Sequence, residues 1–440
     1  MRVSFRLLGS AFTLLLAGLS AAPDSAPAMF RRTPGHQANY NEPPILSRPE
    51  VRWQAALAGE VFSTPVAVDG LIYVGSNHNR FYALDAATGR IVWEAGTLGG
   101  ANSSPAVADG IVYFNDLSGR FHALDARTGA RRWLHEVHGE RIYGTHGYGT
   151  PERRGRYQTD LWDPTLSSPV IIGDLVCYAS GNGTVYALDR ATGAEKWSFA
   201  TDDVIHCAPA VAGGRLYVGG WDGFFYCLDA ATGAEHWRLK TGSEPENHSQ
   251  HGILSAPVVD GDTVYFGCRD AHFYAVNTAD GTVRWKRAHN GSWVIASPVI
   301  LGDLVCYPTS DSLQFLALDK HTGETRHELK TRAWSFCSPT AAGPLVYFGT
   351  FAGDLNAFDT RTGRLLWTWQ TDAARRNAQG FLDAAGAFDI NAKVFANWTW
   401  AESVRATRQM YSAGAIIGSP VPHDGGLLVP TTEGLLYFLR

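Results

Sequence analysis

A repeated pattern of turn and aromatic residues constrains the fold of this chain more than any other feature. Each repeat reads Ser-Pro, an apolar pair, Asp-Gly, apolar-Tyr, a glycine-rich turn, Tyr-Ala-Leu-Asp, Thr-Gly and Trp. The repeated acidic or amide residue is followed four positions later by Gly, and four positions after that by Trp, except in one repeat that has His327. These anchors are Asp85, Asp125, Asp189, Asp229, Asn277, Asp319 and Asp359. A unit of about 40 residues repeated this strictly predicts one small structural module used many times.

Each module is predicted to contain four short strands, which in the first repeat cover residues 63–68, 71–75, 81–84 and 90–94. Asp85 can accept hydrogen bonds from the backbone that follows it, and Gly89 can take the positive φ of a bulged tight turn. The third and fourth strands therefore form a hairpin. Because one four-stranded sheet cannot bury both of its faces, the modules must stack as the blades of a propeller.

The number of first strands gives the number of blades. They begin at Pro65, Pro105, Pro169, Pro209, Pro257, Pro298, Pro339 and Pro420. The eighth repeat ends before its fourth strand, but residues 51–54 supply one, because Trp53 precedes Pro65 by the same twelve residues as Trp93 precedes Pro105. We predict an all-β fold, an eight-bladed β-propeller of four-stranded antiparallel blades in which the N-terminal strand completes the last blade and removes the open edges.

The start of the chain indicates export. A basic and then apolar stretch ends at an Ala-Pro-Ala site, so residues 1–28 are predicted to be a signal peptide and 29–440 the mature propeller, in the periplasm or outside the cell. The net charge is −5, with 37 basic and 42 acidic residues spread evenly, which argues against a nucleic acid partner. No transmembrane segment is predicted in the mature chain, and a monomer is expected.

Three connections between blades are longer than the common twelve residues. The insertions lie at 137–166, 241–253 and 372–417. All three follow a fourth strand, so the propeller geometry predicts that they share one face. Functional residues of repeat proteins concentrate where insertions do.

Six residues are predicted to bind a ligand or a partner on this face. Asn102 and His206 are the polar members of the ring of residues three positions before each first-strand proline, and Trp293 and Trp334 stand two positions before that ring. Trp221 and Arg269 are at the tips of turns in blades four and five. A mouth with aromatic walls and few polar groups is typical of a small-molecule site. The alternative is that the tryptophans only plug the channel.

Catalytic and metal-binding residues are not assigned. His248 and His251 have the spacing of metal ligands, but they stand in the second insertion without a third ligand, which favours surface histidines. Of the six cysteines, Cys227 and Cys268 are the one pair in neighbouring blades, and whether they form a disulfide stays open.

The repeats at 82–93 and 186–197 resemble those of the PQQ-like, or quinoprotein-type, propeller family, and the resemblance covers essentially residues 29–440. It implies eight blades. The family includes PQQ-dependent dehydrogenases and BamB-like envelope proteins, and 29–32 resembles the segment that often precedes its first blade. The adjacent cysteines and the Cys-x-x-Cys-His of the dehydrogenases are absent from the sequence, and 180–183 only loosely resembles their calcium-binding segment.

Two functions remain open at this point. The first is an exported, non-catalytic binding or scaffold propeller that holds an envelope protein, a polymer or a small ligand on its insertion-bearing face, with a BamB-like role. The second is an oxidoreductase that acts on alcohols or sugars with PQQ and calcium, with Trp293 or Trp334 stacked on the quinone.

Overall fold

The computed structural model describes residues 26–141, 160–242, 252–376, 380, 382–384 and 400–440. Most of the predicted signal peptide, and His248 and His251, lie outside these residues. The described strands form eight sheets, and the first strands of successive sheets contact one another around a central channel. The chain is therefore the predicted eight-bladed propeller.

The strands follow the repeat. Strands β1 (Ala28–Met29), β2 (Asn39–Tyr40) and β3 (Val51–Ala56) precede the first repeat. Blade one contains β4 (Val66–Val68), β5 (Leu71–Ser76), β6 (Arg80–Asp85) and β7 (Ile91–Gly96). Blade two contains β8 (Ala106–Ala108), β9 (Ile111–Asn115), β10 (Arg120–Asp125) and β11 (Arg131–Glu136). Blade three contains β12 (Val170–Ile172), β13 (Leu175–Ala179), β14 (Thr184–Asp189) and β15 (Glu195–Ala200). Blade four contains β16 (Ala210–Ala212), β17 (Arg215–Gly219), β18 (Phe224–Asp229) and β19 (Glu235–Lys240).

The second half repeats this order. Blade five contains β20 (Val258–Asp260), β21 (Thr263–Gly267), β22 (His272–Asn277) and β23 (Val283–Ala288). Blade six contains β24 (Val299–Leu301), β25 (Leu304–Pro308), β26 (Gln314–Asp319) and β27 (Thr325–Lys330). Blade seven contains β28 (Thr340–Ala342), β29 (Leu345–Gly349), β30 (Asp354–Asp359) and β31 (Arg364–Gln370). Helices α1 (Asp372–Arg376) and α2 (Trp400–Ser412) follow, and blade eight contains β32 (Val421–His423), β33 (Gly426–Pro430) and β34 (Leu435–Leu439).

The repeated Asp, Gly and Trp residues act as predicted. In blade one, Asp85 accepts hydrogen bonds from the Thr88 backbone at 2.9 Å and from its hydroxyl at 2.6 Å, and Gly89 has a φ of 69°. The tryptophan of one blade covers this glycine in the next: a Cβ on Gly233 would lie 2.5 Å from the ring of Trp197. His327 covers Gly363 in the same way, so it fills a packing position.

The N-terminal strand closes the ring. Strand β3 pairs antiparallel with β34, from Val51 opposite Leu439 to Ala56 opposite Leu435. Trp53 then covers Gly89 of blade one, where a Cβ would lie 2.4 Å from its ring. Blade eight therefore takes its fourth strand from the other end of the chain, as the spacing predicts.

The segment before β3 crosses the central channel. Strand β1 pairs with β8 of blade two, and β2 pairs with β28 of blade seven. Between them Arg31 is 1% exposed; its guanidinium donates to the backbone carbonyls of His36 at 3.1 Å and Pro339 at 3.3 Å. Phe30 packs against Ala208 and Ala256. The predicted mature start at Met29 thus lies in a strand that is paired inside the channel.

The six cysteines are buried and free, so Cys227 and Cys268 are not joined by a disulfide, although both belong to one apolar cluster. Burial raises the pKa of Cys227 to about 11. Neither helix in the described part of the chain is long and apolar enough to cross a membrane.

Candidate functional site

The channel contains a small cavity between the N-terminal segment and the first insertion. Every blade contributes to its lining, and the lining includes all eight ring residues three positions before the first-strand prolines: Phe62, Asn102, Leu166, His206, Leu254, Ile295, Phe336 and Ile417. Phe30 and Trp162 line it as well. Its volume is about 70 Å³, which accommodates a few water molecules. Pockets for cofactors and drug-sized ligands are roughly 300–1,000 Å³.

The end of the first insertion fills the mouth of the channel. We call residues 160–166 the plug segment. Its Asp160 forms an ion pair with the guanidinium of Arg269, and the two side chains are 6% and 3% exposed. This guanidinium lies 5.3 Å from the ring centre of Trp221 and 4.8 Å from that of Trp293, so it stacks between two tryptophans. The packing holds Arg269 in a water-poor environment where its charge needs a partner.

A second carboxylate of the plug segment binds the channel wall. Asp163 Oδ2 lies 2.6 Å from His206 Nδ1, and His206 Nε2 lies 3.2 Å from the carbonyl oxygen of Arg141. Burial by itself lowers the pKa of His206, but the adjacent Asp163 carboxylate and the nearby Glu140 outweigh it, so the pKa is raised. Burial also raises the pKa of Glu140, which accepts hydrogen bonds from Ser180 and the Gly181 backbone.

The remaining predicted site residues also contact the plug segment. Asn102 donates from Nδ2 to the carbonyl oxygen of Pro164 at 2.8 Å. Trp334 packs edge-on against Trp162, with ring centres 5.4 Å apart. The structure thus brings Asn102, His206, Trp221, Arg269, Trp293 and Trp334 together around one segment of their own chain. The sequence analysis predicted that the first insertion lies at this face but missed Asp160 and Asp163, although an acid on each side of Trp162 was a visible signal.

The third insertion covers the plug segment from outside. In helix α2 the buried residues Met410 and Tyr411 belong to an apolar cluster with Phe62 and Trp162, and the Tyr411 hydroxyl donates to the carbonyl of Leu161 at 3.2 Å. The other side of α2 exposes Arg405, Arg408 and Ser412.

Several buried polar atoms around the plug segment lack a hydrogen-bond partner among the described residues. They are Arg269 Nε and Nη2, Trp221 Nε1, Asp163 Oδ1 and Asn102 Oδ1. Each such group costs about 1–3 kcal/mol when it is buried without a partner. The segment therefore satisfies only part of the hydrogen-bonding capacity of the wall that holds it.

The residues at the channel mouth do not fit a bound quinone. Trp162 of the plug segment packs edge-on against Trp334, and the guanidinium of Arg269 lies over the rings of Trp221 and Trp293, so a tricyclic ring stacked on Trp334 or Trp293 would compete with groups of the chain itself. In the turn at 180–183, Asn182 is used within the blade, since its Nδ2 donates to the Tyr186 hydroxyl at 2.7 Å. The described residues contain no group of three or more His, Cys, Asp or Glu side chains that could hold a metal ion.

The fold defines a class, the eight-bladed propellers built from PQQ-type repeats. The family model described as outer membrane protein assembly factor BamB matches residues 47–146, 156–288 and 226–397, which is more than half of the chain. The chain belongs to this family. A search of the curated proteins finds no match.

Among solved structures, BamB from Moraxella catarrhalis superposes with a TM-score of 0.64 at 17% identity, over 89% of this chain and 99% of that one. A quinohemoprotein alcohol dehydrogenase from Pseudomonas putida superposes with a TM-score of 0.67 at 15% identity, over 94% of this chain and 79% of that one. The computationally designed Ika8 protein superposes with a TM-score of 0.59 at 14% identity, over 87% of this chain and 98% of that one. Enzymes and BamB share this fold, so the fold by itself does not assign catalysis.

Proposed function

We propose that this chain is an exported, non-catalytic binding propeller of the cell envelope that holds a partner protein on its insertion-bearing face. The observation that carries the proposal is the filled channel mouth. The plug segment packs into the mouth of the channel, and α2 covers the segment through Tyr411. The family match and the likeness to BamB support a role in protein assembly.

The surface offered to the partner is formed by parts of two insertions. Leu161 of the first insertion and Tyr411 of the third are joined by a hydrogen bond, so these insertions meet above the channel. Arg405 and Arg408 are exposed on the outer side of α2. Arginine is enriched at protein interfaces, where exposed arginines can contact acidic groups of a partner.

Crosslinking in envelope extracts tests this function. The full chain carrying Arg405→Glu and Arg408→Glu is expected to capture at least about ten-fold less partner than the unaltered chain. This loss corresponds to about 1.4 kcal/mol of binding free energy. Arg127→Glu with Arg364→Glu is the matched control, because both arginines are exposed at the other face: Arg127 lies in the turn between a third and a fourth strand, and Arg364 begins a fourth strand directly after such a turn. Equal losses from the two variants would contradict the proposal.

An oxidoreductase using PQQ and calcium is the alternative that the family raises. Because the plug segment leaves no space for the ring, we expect no saturable binding when the purified chain is titrated with PQQ and Ca²⁺. Saturable binding that brings dye-linked oxidation of an alcohol or a sugar would overturn the non-catalytic function.

A further inference from the structure

We propose that the channel mouth is a receptor for an acidic peptide segment with an aromatic residue between two carboxylates. In this structure the plug segment occupies the receptor in cis, in the place that a segment of a partner protein takes in trans. The inference deepens the proposed function, on which it rests, by naming the chemistry of the partner.

The charges of wall and occupant are complementary. Arg269 and His206 on the wall face Asp160 and Asp163 on the segment, and Asn102 donates to a backbone carbonyl that any peptide has. The three wall residues come from blades five, four and two, so the rigid ring fixes their spacing whether or not the segment is present.

The aromatic position has a pocket of its own. Trp162 is 4% exposed and packs against Trp334 and, with ring centres 6.4 Å apart, against Phe336. A buried aromatic anchor flanked by charged pairs is the usual composition of a binding hot spot. An Asp-x-Trp-Asp order in a partner would place one side chain in each part of the receptor.

The plug segment does not saturate this receptor. Arg269 is 2% exposed, and Asp160 takes only its Nη1, while Nε and Nη2 remain without a partner among the described residues. The ring of Trp221 lies beside the same guanidinium, and its indole nitrogen also lacks a hydrogen-bond partner within the described part of the chain. A carboxylate that bound the guanidinium in the bidentate geometry would accept hydrogen bonds from donors to which the plug segment does not bind.

Competition with the tethered segment sets the conditions for exchange. A segment on a short tether competes at an effective concentration on the order of millimolar. A partner therefore has to add contacts elsewhere on the insertion-bearing face, as the proposed function requires, whereas a short peptide needs a chain whose own segment is weakened.

A peptide-binding experiment tests the receptor. The probe is a fluorescent peptide Asp-Leu-Trp-Asp-Pro-Thr-Leu, and its control has Asn in place of both Asp residues. The receptor is the full chain with Asp160→Asn, Trp162→Ala and Asp163→Asn. We expect this variant to bind the acidic peptide at least about ten-fold more tightly than the amide peptide, and at least about ten-fold more tightly than the unaltered chain does. Adding Arg269→Gln to the triple variant is expected to reduce the preference for the acidic peptide, and adding His206→Asn as well is expected to remove it.

Equal binding of the two peptides, or no binding by a triple variant that unfolds cooperatively, would overturn the proposal. So would displacement of the peptide by an equal concentration of succinate, which would indicate a small-molecule carboxylate site. If the triple variant does not fold, hydrogen exchange on the unaltered chain decides, with peptide added well above the millimolar effective concentration of the tethered segment: the acidic peptide should speed exchange at Leu161 and Trp162, and the amide peptide should not. Unchanged exchange refutes the receptor. Partner capture through Arg405 and Arg408 is a separate measurement, so failure here and failure of the proposed function are distinguishable.

Discussion

Arg269 of blade five and Asp160 of the first insertion form a buried ion pair across 109 residues of sequence. The pair attaches the plug segment to the propeller at a point where water is excluded, and Trp221 and Trp293 stack on the guanidinium. Both a structural seal and a receptor for an acidic segment depend on this contact.

Removing the charge of one partner of this pair is expected to lower the free energy of unfolding more than removing both charges. Asp160→Asn leaves Arg269 charged and buried, which costs about 3–5 kcal/mol, whereas Asp160→Leu with Arg269→Met should be close to neutral because it removes both charges. Urea unfolding of the single and double variants measures the difference. A double variant that is less stable than Asp160→Asn would contradict the assignment of a desolvated ion pair.

The contact between His206 and Asp163 predicts a dependence of stability on pH. The pKa of His206 is raised in the folded chain, so its contribution is fully present below the unfolded value of about 6.5 and disappears as pH rises through the folded value. The unfolding free energy of the unaltered chain minus that of His206→Asn should therefore fall as pH rises above the unfolded pKa of about 6.5 and through the raised folded pKa. Burial raises the pKa of Asp354 to about 6. Because Asp354 titrates in both proteins, its contribution to the difference in unfolding free energy largely cancels. A difference that rises with pH would show that the interaction does not favour the imidazolium.

Two contributions of Gly233 to stability can be measured separately: its positive φ, and the space that it leaves for the ring of Trp197. Gly233 and Gly214 belong to blade four and have φ values of 74° and 75°, but a Cβ on Gly214 meets nothing within 4 Å. Gly214→Ala should cost about 1 kcal/mol for the positive φ alone. Gly233→Ala should cost about 1–3 kcal/mol more, because the methyl group displaces the indole. Thermal and urea unfolding of the two variants provide the comparison, and equal losses would argue against close packing between blades.

Closure of the ring predicts a large effect of a small deletion. A chain that begins after Ala58 lacks β3 and leaves β34 without its outer partner, whereas a chain that begins at Pro49 loses only the channel-crossing segment. The longer deletion should lower stability by several kcal/mol more than the shorter one, a large share of the about 5–15 kcal/mol of a typical protein. Unchanged thermal unfolding on removal of β3 would refute closure by this strand.

Much of the site could be located from the sequence, but its occupant could not. The ring positions before the first-strand prolines repeat along the chain, so Asn102 and His206 could be placed at the channel from their spacing alone. Trp221 and Arg269 followed from their places in the turns. Nothing in the local pattern connects Asp160 with Arg269, because their contact depends on where an irregular insertion returns to the ring.

The sequence by itself determined the blade, the number of blades and the closure, because these follow from short-range chemistry. An aspartate accepts hydrogen bonds from its own turn, a glycine takes a positive φ, and a tryptophan covers the glycine of the next unit. Only the tertiary structure decided that the six predicted binding residues surround a segment of their own chain and that Cys227 and Cys268 are not joined by a disulfide. Those outcomes depend on distances between blades and on the path of an insertion without periodicity, and no repeat in the sequence encodes either.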